Sequence, residues 1–231
     1  MTDGPIRAVV FDAYGTLFDV TSAARRVARE PGRGGFARVW PTVAADWRRK
    51  QLEYSWLRAI AGAHADFWTV TQDGLDWALE AAGLAEHDLR DRLLALYWDL
   101  EAFPEVAGML DRLRRPGLPL AILSNGTPDM LAAAVRSAGL GGAFDALLSV
   151  ESTGIFKPAR AVYDLVGARF GTEAAQVLFV SSNGWDAAGA ACYGFRTVWI
   201  NRDRLPMDRL PWRPERVLND LDGIPDLLEA R

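Results

Sequence analysis

Residues 6–18 read IRAVVFDAYGTLF, a short apolar run that leads into an aspartate and then a glycine-threonine pair. An apolar run of this length, rich in β-branched residues, predicts a buried strand that ends at Phe11. Asp12 therefore stands at the mouth of a sheet, and Gly15 and Thr16 permit a tight turn below it. An aspartate in this position either caps a turn or takes part in chemistry, and the rest of the chain decides between the two.

Three more apolar runs of the same kind predict further strands. The four predicted strands are Ile6–Phe11, Leu118–Leu123, Val177–Val180 and Thr197–Ile200. Segments with helical spacing separate the last three strands, and two of them open with a proline, at Thr127-Pro128 and at Lys157-Pro158. This alternation predicts an α/β fold with a doubly wound parallel sheet, whose ligand site lies beyond the carboxyl ends of the strands.

The stretch from about Ser22 to Glu101 interrupts this alternation, because it contains no convincing strand. Its tryptophans recur at amphipathic helical spacings, at Trp40, Trp47, Trp56, Trp68, Trp77 and Trp98. The stretch follows the first strand and returns near Pro104, so we expect a helical cap that lies over the strand ends. The predicted domains are a core of residues 1–20 and 102–231 and a helical cap of residues 21–101.

Composition and charge limit the classes of function. The chain has 231 residues, of which 50% are hydrophobic, enough for a sizeable globular core. Its formal net charge of -4 provides no overall positive field, so a nucleic-acid partner is not expected. The single cysteine, Cys192, cannot form an internal disulfide, and neither a signal peptide nor an apolar run of about 20 residues is evident. We therefore expect a cytoplasmic protein with no membrane partner.

Polar side chains cluster where the predicted strands end. Asp12 follows the first strand, Ser124-Asn125-Gly126 follow the second, and the segment from Ser181 to Asp186 follows the third. Lys157 precedes a predicted helix near the same edge. Each of these could be an ordinary turn or loop residue, for which Ser-Asn-Gly is well suited. Their convergence in a chain whose strands are otherwise apolar favours a single polar site.

These four segments resemble the four motifs of the haloacid dehalogenase superfamily, and the resemblance covers most of the chain. More narrowly, three segments resemble the L-2-haloacid dehalogenases: DAYGT at 12–16, WRRKQLEYSWL at 47–57 and SSNGWD at 181–186. The resemblance implies a core of the superfamily's type with a helical cap inserted after the first strand. It also implies a hydrolase that acts on carbon-halide bonds, an (S)-2-haloacid dehalogenase that needs neither metal nor cofactor.

The same resemblance implies chemical roles for the polar residues. Asp12 would be the nucleophile, which displaces halide from the α-carbon of a short 2-haloacid and forms an ester. Water would then hydrolyse the ester to an (R)-2-hydroxy acid. Arg48 would receive the halide ion with help from Asn125, while Lys157 would neutralise Asp12. Asp186 would hold that lysine and help to position the water.

Further positions follow from the resemblance as catalytic or substrate-binding residues. Ser124, with Asn125, would hold the substrate carboxylate. A polar shell around the nucleophile and the water would comprise Thr16, Tyr163, Ser181 and Asn183. An apolar pocket for the alkyl side of the substrate would comprise Tyr14, Leu52, Phe67 and Trp185. Packing in the core is the alternative for Leu52, Phe67 and the ring of Tyr163.

Arg49 departs from the pattern, because glutamine is expected there in similar proteins. We include Arg49 among the substrate-binding residues, where a second arginine would alter the polarity of the pocket wall. Arg48, Arg49 and Lys50 form a run of basic residues, so a solvated helix face is the alternative interpretation of this segment.

Two absent acids argue against the principal alternative, a magnesium-dependent phosphatase of the same superfamily. Such enzymes resemble one another in a second aspartate two residues after the nucleophile, where this chain has Tyr14. They also carry an aspartate at the position of Ser182, and a hard divalent ion prefers several anionic oxygens. A further alternative is a catalytically idle interaction protein that binds through its tryptophan-rich cap. The cap could also form a homodimer interface, which is our expectation for the oligomeric state.

Overall fold

The computed structural model describes residues 4–84 and 86–229. The outer limits of the predicted core domain, at residues 1–3 and 230–231, lie outside the described residues, as does Ala85 in the predicted cap. Within the described ranges no helix combines the length and the apolarity that crossing a membrane requires.

A parallel sheet of six strands forms the centre of the described chain. Its strands are β1 Ala8–Phe11, β2 Leu120–Ser124, β3 Ala146–Ser149, β4 Val177–Ser181, β5 Arg196–Ile200 and β6 Arg216–Leu218. Their order across the sheet is β3-β2-β1-β4-β5-β6, with every neighbouring pair parallel. The chain winds outward in one direction through β2 and β3 and in the other through β4 to β6. The α/β doubly wound prediction is confirmed.

The crevice of the sheet lies between β1 and β4, where the direction of winding reverses. Phe11 at the end of β1 pairs with Ile122 of β2 and with Val180 of β4. The backbone N–H of Asp12 donates to Val180 O at 2.9 Å. This register brings Asp12 beside Ser181, so the residues that follow the buried strands meet at one edge.

The sheet differs from the prediction at its two outer strands. The structure adds β3 and β6, which the sequence patterns did not predict. Both are edge strands of three or four residues with partly exposed side chains, so neither carries a continuous apolar run. The predicted β1 and β2 also begin two residues too early, since pairing starts only at Ala8 and Leu120.

Helices cover both faces of the sheet. They are α6 Val106–Leu113, α7 Pro128–Ser137, α8 Arg160–Phe170, α9 Gly184–Tyr193 and α10 Asp226–Glu229. The side chain of Thr127 caps α7 by accepting from Met130 N at 3.2 Å, as its sequence predicts. The helix expected at Lys157-Pro158 begins only at Arg160, because a turn comes first and leaves Lys157 free to point into the site.

The described part of residues 22–97 consists of five helices and the segments that connect them, with no strand. The helices are α1 Ser22–Val27, α2 Gly34–Ala37, α3 Trp40–Ala61, α4 Phe67–Ala81 and α5 His87–Tyr97. The chain leaves and re-enters the core through one paired neck: Asp19 N donates to Glu101 O at 2.8 Å, and Phe103 N donates to Leu17 O at 2.9 Å. This neck supports the proposed division between a core and a cap of residues 21–101.

The cap also contacts the core at Glu151. Glu151, which follows β3, accepts from the backbone N–H of Phe67 at 3.1 Å and pairs with His64 Nε2 at 3.1 Å. The carboxylate lies at the N-terminus of α4, where the helix dipole favours negative charge. These contacts and the neck hold the cap over the carboxyl ends of the strands.

Close contact between α3 and α4 gives the cap its shape. A Cβ atom on Gly74 of α4 would lie 3.1 Å from Gln51 N and 3.3 Å from Trp47 O, both on α3. The indole N–H of Trp47 donates across the same contact to Thr71 O at 2.8 Å. The two backbones can approach this closely because position 74 has no side chain.

Replacement of Gly74 tests this contact against a matched glycine. Gly108 lies inside α6, and a Cβ atom there would meet nothing within 4 Å. We expect Gly108→Ala to raise the free energy of unfolding by roughly 0.5–1 kcal/mol through helix propensity. In the same urea unfolding measurement, Gly74→Ala should raise the free energy of unfolding by less than Gly108→Ala does, or should lower it. Gly74→Leu should lower the free energy of unfolding clearly. Equal gains for the two alanine variants would contradict the close contact.

Candidate active site

Asp12 occupies the carboxyl end of β1 with almost no exposed surface, at 6%. Its Oδ1 accepts from Lys157 Nζ at 3.1 Å. Its Oδ2 accepts from Thr16 Oγ1 and from Asn183 Nδ2, both at 2.9 Å. Three donors therefore fix the orientation of a carboxylate that is largely shielded from water.

Lys157 links this carboxylate to a second one. The side chain is fully buried, and its Nζ lies 2.8 Å from Asp186 Oδ2 as well as against Asp12. Burial would lower the pKa of Lys157, but the charges of Asp12 and Asp186 outweigh burial and raise that pKa above its usual value. The ammonium therefore stays protonated between the two carboxylates.

The carboxylate of Asp186 is held by two further hydroxyl groups. Tyr163 donates to Oδ1 at 2.9 Å, and Ser181 Oγ donates to Oδ2 at 3.1 Å. Burial, together with the charge of Asp186, raises the pKa of Tyr163 well above its usual value, so this phenol remains a donor. Because Asp186 is at 0% exposure, these contacts supply the partners that a buried carboxylate requires.

The cap contributes a second cation from helix α3. Arg48 Nη2 donates to Tyr14 O at 3.1 Å and to Asn183 Oδ1 at 3.2 Å. The other end of the Asn183 amide donates to Asp12, so one side chain connects the cap arginine to the proposed nucleophile. The charge of Arg48 thus stands at the seam between cap and core.

The turn after β2 supplies the other polar wall. Ser124 is buried, and its Oγ accepts from Gly126 N at 3.1 Å. Asn125 Oδ1 accepts from the backbone N–H of Lys157 at 3.0 Å, which leaves the Nδ2 group without an acceptor among the described residues. This free amide donor could hold an anionic group of a ligand.

Aromatic and aliphatic side chains close the other side of the site. The ring of Tyr14 lies 5.8 Å from that of Phe67 and 5.8 Å from that of Tyr97. Leu52 and Trp185, both half-buried, line a cavity of about 560 Å³ at the seam, together with Arg48. This cavity combines apolar groups with two arginines and three aspartates, and it adjoins the cluster at Arg48, while Asp12 is not among its lining residues.

Arg49 does not belong to this cluster, which corrects the expectation that it lines the pocket. Its guanidinium pairs with Asp46 at 2.9 Å and with Glu53 at 3.2 Å, and it lies 4.9 Å from the ring centre of Trp77. Half of the side chain is exposed. Successive residues of an α-helix point about 100° apart, so a helix that turns Arg48 toward the core turns Arg49 away from it.

The remaining predicted residues lie in the cluster or in its walls. The set comprises Asp12, Tyr14, Thr16, Arg48, Leu52, Phe67, Ser124, Asn125, Lys157, Tyr163, Ser181, Asn183, Trp185 and Asp186.

The sequence patterns missed three supporting residues. Gln51 and Tyr97 lie in the cap, where Gln51 Oε1 accepts from Arg48 Nη1 at 2.8 Å. Arg202 follows β5 and donates to Thr16 O at 2.9 Å. The rule that selected Asp12, a polar residue just beyond a buried strand, would also have found Arg202. Gln51 carried a weaker signal, a polar residue one turn after Arg48 on the same helix face.

Comparisons with known proteins agree with this geometry. A family model described as haloacid dehalogenase-like hydrolase matches residues 6–194. The (S)-2-haloacid dehalogenase 1 of Pseudomonas sp. (strain CBS-3) is 45% identical over 226 residues, which cover 97% of each chain. The (S)-2-haloacid dehalogenase of Pseudomonas sp. (strain YL) is 41% identical over 228 residues, covering 97% of this chain and 95% of that protein.

A solved structure adds a chemical detail. The L-2-haloacid dehalogenase from Xanthobacter autotrophicus with chloropropionic acid covalently bound is 40% identical, with a TM-score of 0.84 over 97% of this chain and 98% of that chain. Sequence, fold and site therefore agree, and the chain belongs to the L-2-haloacid dehalogenase family of the haloacid dehalogenase superfamily of hydrolases.

Proposed function

We propose that this hydrolase is an (S)-2-haloacid dehalogenase, which converts short 2-haloalkanoic acids to (R)-2-hydroxy acids through an ester on Asp12 and without a metal ion. The observation that carries the proposal is the shielded Asp12 carboxylate, held by the Lys157 ammonium beside an apolar wall. The relative with covalently bound chloropropionic acid supports an ester intermediate. The enzyme acts on carbon-halide bonds, as its relatives named (S)-2-haloacid dehalogenases do.

The first step is displacement of the halide. The Asp12 carboxylate attacks the α-carbon from the side opposite the halogen, the new C–O bond forms, and the C–halogen bond breaks. The halide leaves as a stable anion, so it needs a cation or an amide donor rather than a proton. Arg48 and the free amide of Asn125 provide these. A dry pocket wall preserves the nucleophilicity of the carboxylate.

The second step is hydrolysis of the ester. Water adds to the carbonyl carbon of the Asp12 ester, and the oxyanion develops on the carboxylate oxygen that did not attack the substrate. That oxygen is held by Lys157 if it is Oδ1 and by Thr16 if it is Oδ2. Asp186, bound to Lys157, helps to place the water. The bond between this carbon and the ester oxygen then breaks, the proton given up by the attacking water is balanced by the one that the departing alkoxide oxygen takes up, and the hydroxy acid leaves with an oxygen that came from Asp12. One displacement at the α-carbon inverts its configuration.

Charge balance in the cluster supports a reaction without a metal ion. Asp12 and Asp186 are both bound to Lys157, and Ser182 has no charge to offer. In the part of the chain that the structure describes, no three histidine, cysteine, aspartate or glutamate side chains converge as metal ligands. A divalent ion would have to compete with an ammonium that is already in place.

The substrate partners are a small 2-haloacid and its halide ion. We further propose a cytoplasmic homodimer that associates through the cap. Leu57 and Ile60 lie near the end of α3 with 55% and 85% of their surface exposed, and residues three apart on a helix are neighbours. Exposed apolar groups of this kind are typical of interface cores.

Replacement of the nucleophile tests the ester mechanism. We expect Asp12→Asn to abolish halide release from 2-chloropropionate, because an amide lacks the charge that drives displacement. The exposed Asp129→Asn at the start of α7 is the matched control and should retain full activity. In ¹⁸O-labelled water, a single turnover of the unaltered enzyme should place the label in Asp12 and leave the product unlabelled, as mass spectrometry would detect. Label in the product after one turnover would mean direct attack by water.

Metal removal separates the proposed dehalogenase from a phosphatase. We expect EDTA to leave halide release unchanged, because Lys157 supplies the positive charge at Asp12. A chromogenic phosphate ester with added Mg²⁺ should not be hydrolysed, since Tyr14 stands where a leaving-group acid is needed. Strong inhibition by EDTA that Mg²⁺ reverses, or rapid hydrolysis of the phosphate ester, would refute the proposal.

Light scattering on the purified protein tests the homodimer. The expected mass is twice the chain mass of 25.4 kDa. Ile60→Glu should shift the protein toward the monomer because it places a charge in an apolar interface. Leu205→Glu, on a loop after β5 with 59% exposure, is the matched control and should remain dimeric. A monomeric wild-type protein would contradict the assembly.

A further inference from the structure

Gln51 lies on α3, one turn beyond Arg48, with only 1% of its surface exposed. Its Nε2 donates to Thr71 Oγ1 at 2.7 Å and to Tyr97 Oη at 3.0 Å, while its Oε1 accepts from Arg48 Nη1 at 2.8 Å. Burial of an amide is costly unless its hydrogen bonds are made. Here the partners come from α3, α4 and α5, so the three helices share one polar node.

The node permits one orientation of the amide. Thr71 donates its single hydroxyl proton to Phe67 O at 2.7 Å, so toward Gln51 it can only accept. Arg48 has donors and no acceptor. An amide turned by 180° would place its NH₂ group against the guanidinium and its oxygen against a hydroxyl without a free proton. The oxygen of Gln51 therefore faces Arg48 and accepts its hydrogen bond.

The fixed oxygen of Gln51 determines the orientation of the Arg48 guanidinium. An arginine has five N–H donors, and three of those of Arg48 are used, by Gln51 Oε1, Tyr14 O and Asn183 Oδ1. The other two have no acceptor among the described residues. A long arginine side chain loses rotamer freedom when it is fixed, and a contact that fixes it in advance removes that cost from the reaction.

We propose that Gln51 is a positioning residue that holds the Arg48 guanidinium ready for the departing halide. This inference rests on the proposed dehalogenase function and deepens it. Among the described residues Gln51 has no hydrogen bond to Asp12, and it does not line the cavity, so it would act through Arg48. The contribution of Gln51 should therefore grow with the need of the leaving group for stabilisation, and chloride needs more help than bromide.

The test compares Gln51→Met with the wild-type enzyme on 2-chloropropionate and 2-bromopropionate. Methionine fills a similar volume but gives the guanidinium no strong acceptor. We expect kcat for the chloro acid to fall roughly ten- to hundredfold, the range for loss of a hydrogen bond to a charged group. The loss for the bromo acid should be smaller, with little change in KM for either acid. The ratio of the two kcat values is independent of the folded fraction, because both are measured on one preparation.

Ser55→Ala is the matched control. Ser55 is fully buried one turn further along α3, and its hydroxyl donates to the backbone oxygen of Gln51 at 2.8 Å. The substitution removes a buried hydrogen bond from the same helix without touching Arg48. It should lower thermal stability and leave the chloride-to-bromide ratio unchanged. Should Gln51→Met not fold, Gln51→Asn, which keeps the amide on a shorter arm, must shift the ratio in the same direction.

The outcomes are distinct. A wild-type enzyme that releases no halide refutes the proposed function, and the role of Gln51 falls with it. An active wild type with an unchanged ratio in the Gln51 variants overturns the inference alone. An equal loss on both acids, with the fall in stability seen for Ser55→Ala, would show a merely structural role and overturn it as well.

Discussion

A buried ammonium group holds the site together. Lys157 lies between the carboxylates of Asp12 and Asp186, and its side chain is almost completely removed from water. Either carboxylate alone would be expensive to bury, and the ammonium alone equally so, because charge transferred from water without a partner is strongly unfavourable. Together they leave one net negative charge, which the hydroxyl and amide donors around Asp12 and Asp186 surround. Loss of Lys157 would leave two buried acids without the ammonium that each of them contacts.

The fold brings the three charged groups Asp12, Lys157 and Asp186 together from different parts of the chain. The reversal of winding between β1 and β4 puts Asp12 and Ser181 side by side, and the turn before α8 brings Lys157 across from the neighbouring side of the sheet. The core thus holds the proposed nucleophile together with the ammonium that pairs with it. The cap supplies a separate cation, Arg48, which in the proposed reaction would receive the halide once the carbon-halogen bond breaks. Asn183 hydrogen-bonds to both Arg48 and Asp12, so the two parts are connected at the proposed nucleophile.

The sequence predicted the centre of this arrangement better than its periphery, for physical reasons. Buried central strands carry continuous apolar runs and were found, whereas β3 and β6 are short, half-exposed edges whose pairing depends on neighbours distant in sequence. Within the run from Arg48 to Lys50, composition could not choose which basic residue faces the core. The rotation of α3 is fixed by its contact with α4 at Gly74 and Trp47, a tertiary constraint with no local signature. The same contact buries Gln51, whose role depends on partners from three helices.

Tyr14 explains why this scaffold suits a leaving group that needs no proton. The phosphatases of the superfamily carry an acid at this position, two residues after the nucleophile. Here the ring of Tyr14 packs against Phe67 and Tyr97, and burial raises the pKa of its hydroxyl well above the usual value. The same side chain thus replaces the proton donor that a leaving alcohol would need. It also supplies an apolar wall that excludes water and so preserves the nucleophilicity of the carboxylate. The proposed preference for halide over phosphate is then a matter of solvation at a single position.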